Sequence, residues 1–193
     1  MSGHIRGTNR HRFIYLIRHG DYQSSDEHFG GLLTPRGRQQ AELLAGEMSK
    51  IPVDAIYSST MHRAFQTAGI LRDRSFPRLS IQRTPWLNER IFRNHRDYDV
   101  DPEAEQMLGK LTNRFFGRSR CERHDVLVCH GNVIRALVTR VLDAPVESWT
   151  NAAIAHCSIT QLVCLGSGGE RLISYNERGH LPFRLRLVGS GNE

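Results

Sequence analysis

The sequence has almost no lysine, no long apolar run and no paired cysteine motif. Of its 26 basic residues, only Lys50 and Lys110 are lysines, so 24 are arginines. No apolar stretch approaches the roughly 20 residues that a membrane-spanning helix needs. Residues 1–12 also lack the apolar segment of a signal peptide and contain no tryptophan. We therefore expect no membrane partner.

The sequence has four cysteines, which are Cys121, Cys129, Cys157 and Cys164. They are spaced too widely to form a C-x-x-C pair. Cys129 and Cys164 lie in apolar runs that read as strands, where a free cysteine behaves as a small hydrophobic residue. This usage predicts reduced thiols and a cytoplasmic location.

The excess of arginine gives a formal net charge of +6 and indicates an anionic partner. Arginine presents a planar fork of donors that matches phosphate and carboxylate oxygens. The partner could be a phosphorylated molecule or nucleic acid, and many of these arginines could simply cover a solvated surface. The aromatic-interleaved basic stripe of nucleic-acid binders is missing, so we expect no nucleic-acid partner.

Hydrophobic patterning predicts strands that alternate with helices. The predicted strands are 13–17, 55–57, 79–81 and 125–130, and the predicted helices begin at Thr34-Pro35 and cover 60–72, 103–118 and 131–142. Residues 158–165 and 170–175 flank a glycine-rich turn and read as a hairpin. We expect an α/β fold of three layers (α/β/α), with a mostly parallel sheet, helices on both faces and an antiparallel final hairpin. Residues 1–12 form a basic arm, and 13–193 form a single domain.

Unusual polar groups follow three of the predicted strands. The first strand ends in Arg18-His19-Gly20, the second in Ser58-Ser59 ahead of Arg63, and the later strong strand in His130-Gly131. Ligands of open α/β sheets collect at the carboxyl ends of the strands. Each group has an ordinary structural explanation when taken alone. The three together favour a binding site.

The position of Arg63 strengthens that interpretation. It falls in the first turn of a predicted helix, where the helix dipole is already positive and acidic residues are preferred. A cation there is unfavourable unless it reaches solvent or an anion compensates it. Gly131 adds a helix N-terminus beside His130. An anion such as a phosphoryl group would satisfy both features.

The motifs in order resemble the histidine phosphatase superfamily, which has the phosphoglycerate-mutase-like fold. They are Arg18-His19-Gly20, Leu33-Thr34-Pro35-Arg36-Gly37 with Gln40-Ala41, Ser58-Ser59 with Arg63 and Thr67, Asn88-Glu89, and His130-Gly131-Asn132-Val133-Ile134-Arg135. The resemblance spans residues 13–175. Within the superfamily, the His130 motif and Ser158-Ile159-Thr160 resemble the serine/threonine protein phosphatases known from mitochondria.

The resemblance implies a role for each site residue. His19 is the nucleophile that becomes phosphorylated, Arg18, Arg63 and His130 hold the phosphoryl oxygens, and Glu89 protonates the leaving group and then activates water. His130 is also counted among the catalytic residues. No metal and no cofactor are implied, because two arginines and a histidine supply the positive charge. Arg90 and Arg93 follow Glu89, and one of them would form an ion pair with its carboxylate if it faced it.

We expect a phosphomonoester hydrolase acting on a phosphorylated substrate, with phosphoproteins (Ser/Thr) favoured. A mutase needs a covered site that excludes water, and only 41 positions separate Glu89 from His130. A group of arginines between the second helix and the following loop would form a basic surface that suits a bulky substrate. These are Arg72, Arg74, Arg78, Arg83, Arg90, Arg93 and Arg96. A small-metabolite phosphatase, a phosphoglycerate mutase and a non-catalytic phosphate-binding module remain alternatives. The sequence leaves open whether the chain forms a homodimer.

Overall fold

Strands and helices alternate along most of the chain. The computed structural model describes residues 10–25, 29–89, 102–145, 148 and 151–186. The strands are β1 (Arg12–Arg18), β2 (Tyr22–Gln23), β3 (Leu32–Leu33), β4 (Ala55–Ser58), β5 (Ile81–Arg83), β6 (Arg123–Cys129), β7 (Ile159–Cys164) and β8 (Glu170–Glu177). The helices are α1 (Pro35–Met48), α2 (His62–Ser75), α3 (Pro102–Phe115), α4 (Gly131–Val141) and α5 (Phe183–Arg186).

Six strands form the central sheet, in the order β5-β4-β6-β1-β7-β8. The first four in this order are parallel to one another, whereas β7 runs antiparallel to β1 and β8 antiparallel to β7. The prediction of a mostly parallel sheet with an antiparallel final hairpin is confirmed. Since β7 runs against β1, the residues that precede β7 lie at the carboxyl edge of the parallel strands.

Helices cover both faces of the sheet, so the fold has the three layers that the sequence predicts. Alternate residues of β1 point to opposite faces: Ile14 and Leu16 join one core cluster, and Tyr15 and Ile17 join the other. Helices α3 and α4 supply Leu111, Phe115, Val133, Ile134 and Leu137 to the first cluster. Helices α1 and α2 supply Ala41, Leu44, Ala45, Met48, Ala64, Ala68 and Leu71 to the second.

Helix α1 begins where Thr34-Pro35 predicts it. The hydroxyl of Thr34 accepts a hydrogen bond from the backbone N–H of Gly37, which caps the first turn. That turn packs directly on the chain that leaves β1. A Cβ added at Gly37 would lie 1.9 Å from the carbonyl oxygen of Asp21, and one added at Gly20 would lie 2.6 Å from that of Gly37. Both positions therefore require glycine.

The structure differs from the prediction in several places, and it contains the short helix α5, which the sequence pattern does not predict. Strand β5 covers 81–83 rather than 79–81, and the short ribbon of β2 and β3 was not predicted. Arg12 does not belong to a solvated arm, because it is the first residue of β1 and only 8% exposed. The predicted arm otherwise falls mostly on residues 1–9, which lie outside the described residues. No helix in the described part of the chain is long and apolar enough to cross a membrane.

Arg12 is buried because a carboxylate compensates its charge. The side chain of Asp125 on β6 is completely buried and lies 2.5 Å from Nη2 and 2.6 Å from Nε of Arg12. The Nε of Arg123 donates a further hydrogen bond to the same carboxylate. Removal of one partner of a buried ion pair leaves an uncompensated charge in the core.

We predict that Asp125→Ala lowers the free energy of unfolding by about 3–5 kcal/mol. The matched control is Asp73→Ala, which removes an exposed partner of Arg72 and should cost less than about 1 kcal/mol. Urea unfolding followed by circular dichroism measures both values. Equal losses in the two variants would contradict this assignment.

Candidate active site

The three strands that end in unusual polar groups are neighbours in the sheet. Arg18 at the end of β1 is paired with Cys129 of β6, and Ser58 at the end of β4 is paired with Val128. The residues that follow these strands therefore emerge side by side. The structure brings His19, His130 and Ser59 to one rim, as the sequence predicts.

The guanidinium of Arg63 lies at the centre of this rim. It is only 3% exposed, although α2 begins one residue before it and carries no acidic residue in its first turn. Its Nε donates to Nε2 of His19 at 2.9 Å, and its Nη2 donates to Oε2 of Glu89 at 2.8 Å and to Nδ1 of His130 at 3.0 Å. Its Nη1 donates to the carbonyl oxygen of Gly30. One side chain thus contacts three of the other predicted site residues.

The hydrogen bonds of His19 determine which of its nitrogens carries a lone pair. Nδ1 lies 2.8 Å from the carbonyl oxygen of Gly20, which can only accept, so Nδ1 carries the proton. Nε2 accepts from Arg63, so its lone pair faces the guanidinium. Burial, above all, and then the electrostatic effects of the neighbouring His130 ring and of the Arg63 and Arg18 guanidinium groups hold the pKa of His19 well below its ordinary value. The ring is therefore neutral at pH 7.

Hydrogen bonds to both ring nitrogens of His130 determine its tautomer. Arg63 can only donate, so Nδ1 of His130 accepts and Nε2 carries the proton. Nε2 lies 2.9 Å from Oγ of Ser59, whose own hydroxyl donates to Oδ1 of Asn88 at 2.7 Å. That amide oxygen also accepts from the backbone N–H of Thr60 at 2.9 Å, which identifies it as the oxygen. Burial and then the charges of Arg63 and Arg18 lower the pKa of His130.

Glu89 closes the rim on the solvent side. Its side chain is 29% exposed, and its Oε2 lies 3.7 Å from Nδ1 of His130 in addition to its bond with Arg63. Arg90 and Arg93, which follow Glu89 in the sequence, lie outside the described residues. In the part of the chain that is described, the carboxylate pairs with Arg63 instead.

His19, Glu89 and His130 are close enough to be considered as metal ligands. One candidate ligand atom from each lies within 4.8 Å of the others. However, the guanidinium of Arg63 donates a hydrogen bond to all three side chains. A metal cation would have to displace this positive charge, so the arrangement suits an anion better than a metal.

Arg18 fixes the loop that precedes β7 against the rim. Its Nη1 donates to the carbonyl oxygen of Ile154, while its own carbonyl accepts from the backbone N–H of Cys157 at 3.0 Å. Its charge contributes to the lowered pKa values of His19 and His130. The positive charge of Arg18 therefore acts on both rings.

Two further side chains, Tyr22 and His156, belong to the site although no motif in the sequence points to them. The guanidinium of Arg63 lies 4.5 Å from the ring centroid of Tyr22, whose ring also meets His19 edge-on. The ring of His156 lies 5.4 Å from that of His19, centroid to centroid. Strand β7 runs antiparallel to β1, so its first residues lie at the carboxyl edge of the parallel strands. A histidine just before such a strand, as His156 is, is therefore placed near the site.

Comparison with known proteins identifies what the chain resembles. Residues 14–124 and 117–178 match the histidine phosphatase superfamily (branch 1). A relative from Caenorhabditis elegans, the mitochondrial serine/threonine-protein phosphatase Pgam5, is 32% identical over 89% of this chain and 64% of its own length. The protein of the same name from Drosophila grimshawi is 30% identical over 96% of this chain and 69% of its own length.

Among solved structures, the chain resembles phosphoglycerate mutase from Plasmodium falciparum. The TM-score is 0.65 at 27% identity, over 91% of this chain and 96% of the other. The fold prediction is confirmed. The chain spans slightly less than two thirds of the nematode relative's length.

The comparison corrects the expected cytoplasmic location, which is wrong, because the curated relatives are named as mitochondrial proteins. That expectation was based partly on reduced thiols. All four cysteines are indeed free in the structure. Free thiols do not distinguish one compartment from another.

Because the histidines of the site are neutral in the folded protein, the free energy of unfolding should depend on pH. Because the folded pKa of His19 lies below the ordinary value of 6.5, the unfolded chain binds more protons than the folded protein below that pH. The resulting stability is present above pH 6.5 and is lost as the pH falls below it. Each such histidine contributes a slope of about 1.4 kcal/mol per pH unit in that range.

We therefore predict that His19→Asn makes the loss of stability between pH 6.5 and 5 less steep than in the unsubstituted protein. Urea unfolding at several pH values measures the slope of the unfolding free energy against pH in each protein. The two slopes should differ by about 1.4 kcal/mol per pH unit, which corresponds to one bound proton. The same slope in both proteins would mean that His19 is protonated in the folded state, which would contradict its environment.

Proposed function

The chain belongs to the histidine phosphatase superfamily, and we propose that it is a metal-independent phosphomonoester hydrolase that acts through a phosphohistidine at His19. Its substrates in this proposal are phosphoserine and phosphothreonine in proteins. Residues 13–193 act as its single catalytic domain. The observation that carries the proposal is the guanidinium of Arg63, which contacts the nucleophile and the acid together.

His19 suits the role of nucleophile. An imidazole nitrogen attacks phosphorus only through a lone pair, and Nε2 of His19 has one because Nδ1–H is bonded to Gly20. The lowered pKa keeps the ring neutral. Attack by Nε2 forms the N–P bond while the bond from phosphorus to the leaving oxygen breaks, and that oxygen requires a proton.

Arg63 couples substrate binding to activation of the site. In the free protein it occupies the lone pair of His19 and pairs with Glu89. A phosphoryl group offers up to three charged oxygens, which are better acceptors for a guanidinium fork than an imidazole nitrogen. When the fork turns to these oxygens, it exposes the nucleophile and releases the carboxyl group. Its charge then stabilises the transferring group.

Glu89 acts as the acid and then as the base in this proposal. In the free protein Glu89 is a carboxylate paired with Arg63, so it first takes up a proton, either from solvent or from the incoming phosphate monoanion. It gives this proton to the leaving oxygen and later takes one from the water that hydrolyses the phosphohistidine. Its partial exposure to solvent supports the second step, since water can reach it. After product release, Glu89 gives the proton taken from water to the solvent and pairs with Arg63 again as a carboxylate.

Arg18 and His130 hold the phosphoryl oxygens together with Arg63. In the free protein, Nδ1 of His130 accepts from Arg63 and so fixes the guanidinium in place. His130 can donate to a phosphoryl oxygen only after Nδ1 takes up a proton, which a bound phosphoryl dianion would favour. The Ser59–Asn88 pair keeps the ring in position during both states.

The protein-phosphatase relatives support a phosphoprotein substrate, whereas the solved mutase supports a phosphoglycerate mutase as the second candidate. A mutase returns the phosphoryl group to a bound acceptor instead of water. The two candidates share the phosphohistidine and differ in what accepts the phosphoryl group.

We predict that the protein hydrolyses p-nitrophenyl phosphate and phosphoserine or phosphothreonine peptides in the presence of a chelator. His19→Ala should lower turnover by several orders of magnitude, because the nucleophile is lost. His180→Ala, which removes a histidine outside the rim, should retain activity. Phosphate release and interconversion of 2- and 3-phosphoglycerate are measured side by side for each variant.

Activity that survives His19→Ala, or that the chelator abolishes, would contradict the mechanism. Interconversion of phosphoglycerates that is faster than peptide hydrolysis would overturn the proposed substrate and support the mutase. Tight peptide binding with no turnover would favour a non-catalytic phosphate-binding module.

A further inference from the structure

His156 is held beside His19 by the backbone. The N–H of Cys157 donates to the carbonyl oxygens of Arg18 at 3.0 Å and of His19 at 3.3 Å. The side chain of Arg18 in turn donates to the carbonyl of Ile154. These contacts attach the loop before β7 to the end of β1 on both sides of His156. The ring is therefore part of the rim and not a side chain on an independent loop.

His156 differs from the other two histidines of the rim in its hydrogen bonds. Both ring nitrogens of His19 and of His130 are bonded to protein groups. Nε2 of His156 is buried without a hydrogen-bond partner among the described residues. Its Nδ1 lies 3.7 Å from Oδ1 of Asp21, which is longer than a hydrogen bond.

A buried nitrogen without a partner destabilises the folded protein, so such an atom in a site calls for a ligand that satisfies it. The charge around the ring indicates the kind of ligand. Burial, and then the charges of Arg18, Arg36 and Arg63, lower the pKa of His156 to about 3. The three guanidinium groups attract an anion, and the neutral ring can either donate or accept a hydrogen bond. A phosphoryl group fits both conditions, since its oxygens accept and the P–OH of its monoanion donates.

We propose that His156 is a further phosphoryl-binding residue of this site, whose Nε2 hydrogen-bonds to a non-bridging oxygen of the bound phosphoryl group. The neutral ring donates to a phosphoryl oxygen of a dianion, or accepts from the P–OH of a monoanion. In both cases the phosphoryl group supplies the missing partner. The inference rests on the proposed function only in that the ligand is a phosphoryl group.

The competing explanation is that His156 merely fills space next to His19. Two substitutions separate the explanations, because they place an amide at different points along the ring. The amide nitrogen of glutamine reaches about the position of Nε2, whereas that of asparagine reaches only the position of Nδ1. Only His156→Gln therefore keeps a donor where the phosphoryl group needs one.

The test is the dissociation constant of inorganic phosphate, measured by titration calorimetry. We expect His156→Asn to weaken binding about ten- to a hundredfold, as loss of a hydrogen bond to a charged group does, and His156→Gln to stay within about threefold of the unsubstituted protein. The control His180→Asn removes a ring that bonds the carbonyl of Cys157 in the same loop. It should bind phosphate normally.

A second measurement is made on the unsubstituted protein, and a variant is used only to assign the signal. In protein labelled with ¹⁵N at histidine, saturation with inorganic phosphate should shift the His156 Nε2 resonance, which is assigned as the signal absent from His156→Gln. Unchanged phosphate affinity in His156→Asn, equal losses in both variants, or an unshifted resonance would each overturn the inference.

The two proposals can fail separately. If phosphate binds and the protein hydrolyses phosphopeptides while both His156 variants bind normally, only the role of His156 fails. If phosphate binding depends on His156 but no phosphomonoester is hydrolysed, the proposed activity fails and the binding role remains.

Discussion

The site depends on a single buried guanidinium. Arg63 carries a positive charge at the N-terminus of α2, where the helix dipole opposes it, and it is almost completely buried. Buried charges persist only where partners satisfy them. Here the partners are Nε2 of His19, Oε2 of Glu89, Nδ1 of His130 and the carbonyl of Gly30. The need to compensate one charge thus brings His19, Glu89 and His130 into one cluster.

In the proposed mechanism, this arrangement keeps the site inactive until a phosphoryl group binds. The guanidinium covers the lone pair that would attack phosphorus, and the carboxyl group that would protonate the leaving oxygen is engaged in an ion pair. A phosphoryl group competes for the same donors with more negative charge. Its binding would release both groups at once, so the energy of phosphate recognition is used to assemble the reactive site.

Much of the fold and of the site could be predicted from the sequence. Strand β1, strand β6 and the Thr34 cap follow from local patterning, and the parallel order of the strands places His19 and His130 on one rim. The ion pair of Arg12 could not be predicted, because its partner Asp125 lies 113 positions away in the chain. His156 was missed because it forms no motif, and its place depends on the antiparallel pairing of β7 with β1.

The most direct test of the central claim is the identification of the covalent intermediate. The protein is mixed with an aryl phosphate, quenched in base to preserve phosphohistidine, and analysed by peptide mass spectrometry and ³¹P NMR. The account predicts a phosphoryl group on Nε2 of His19, since Nδ1 is committed to the carbonyl of Gly20. A phosphoryl group on Nδ1 of His19 or on another residue, or turnover without any covalent phosphate, would contradict it.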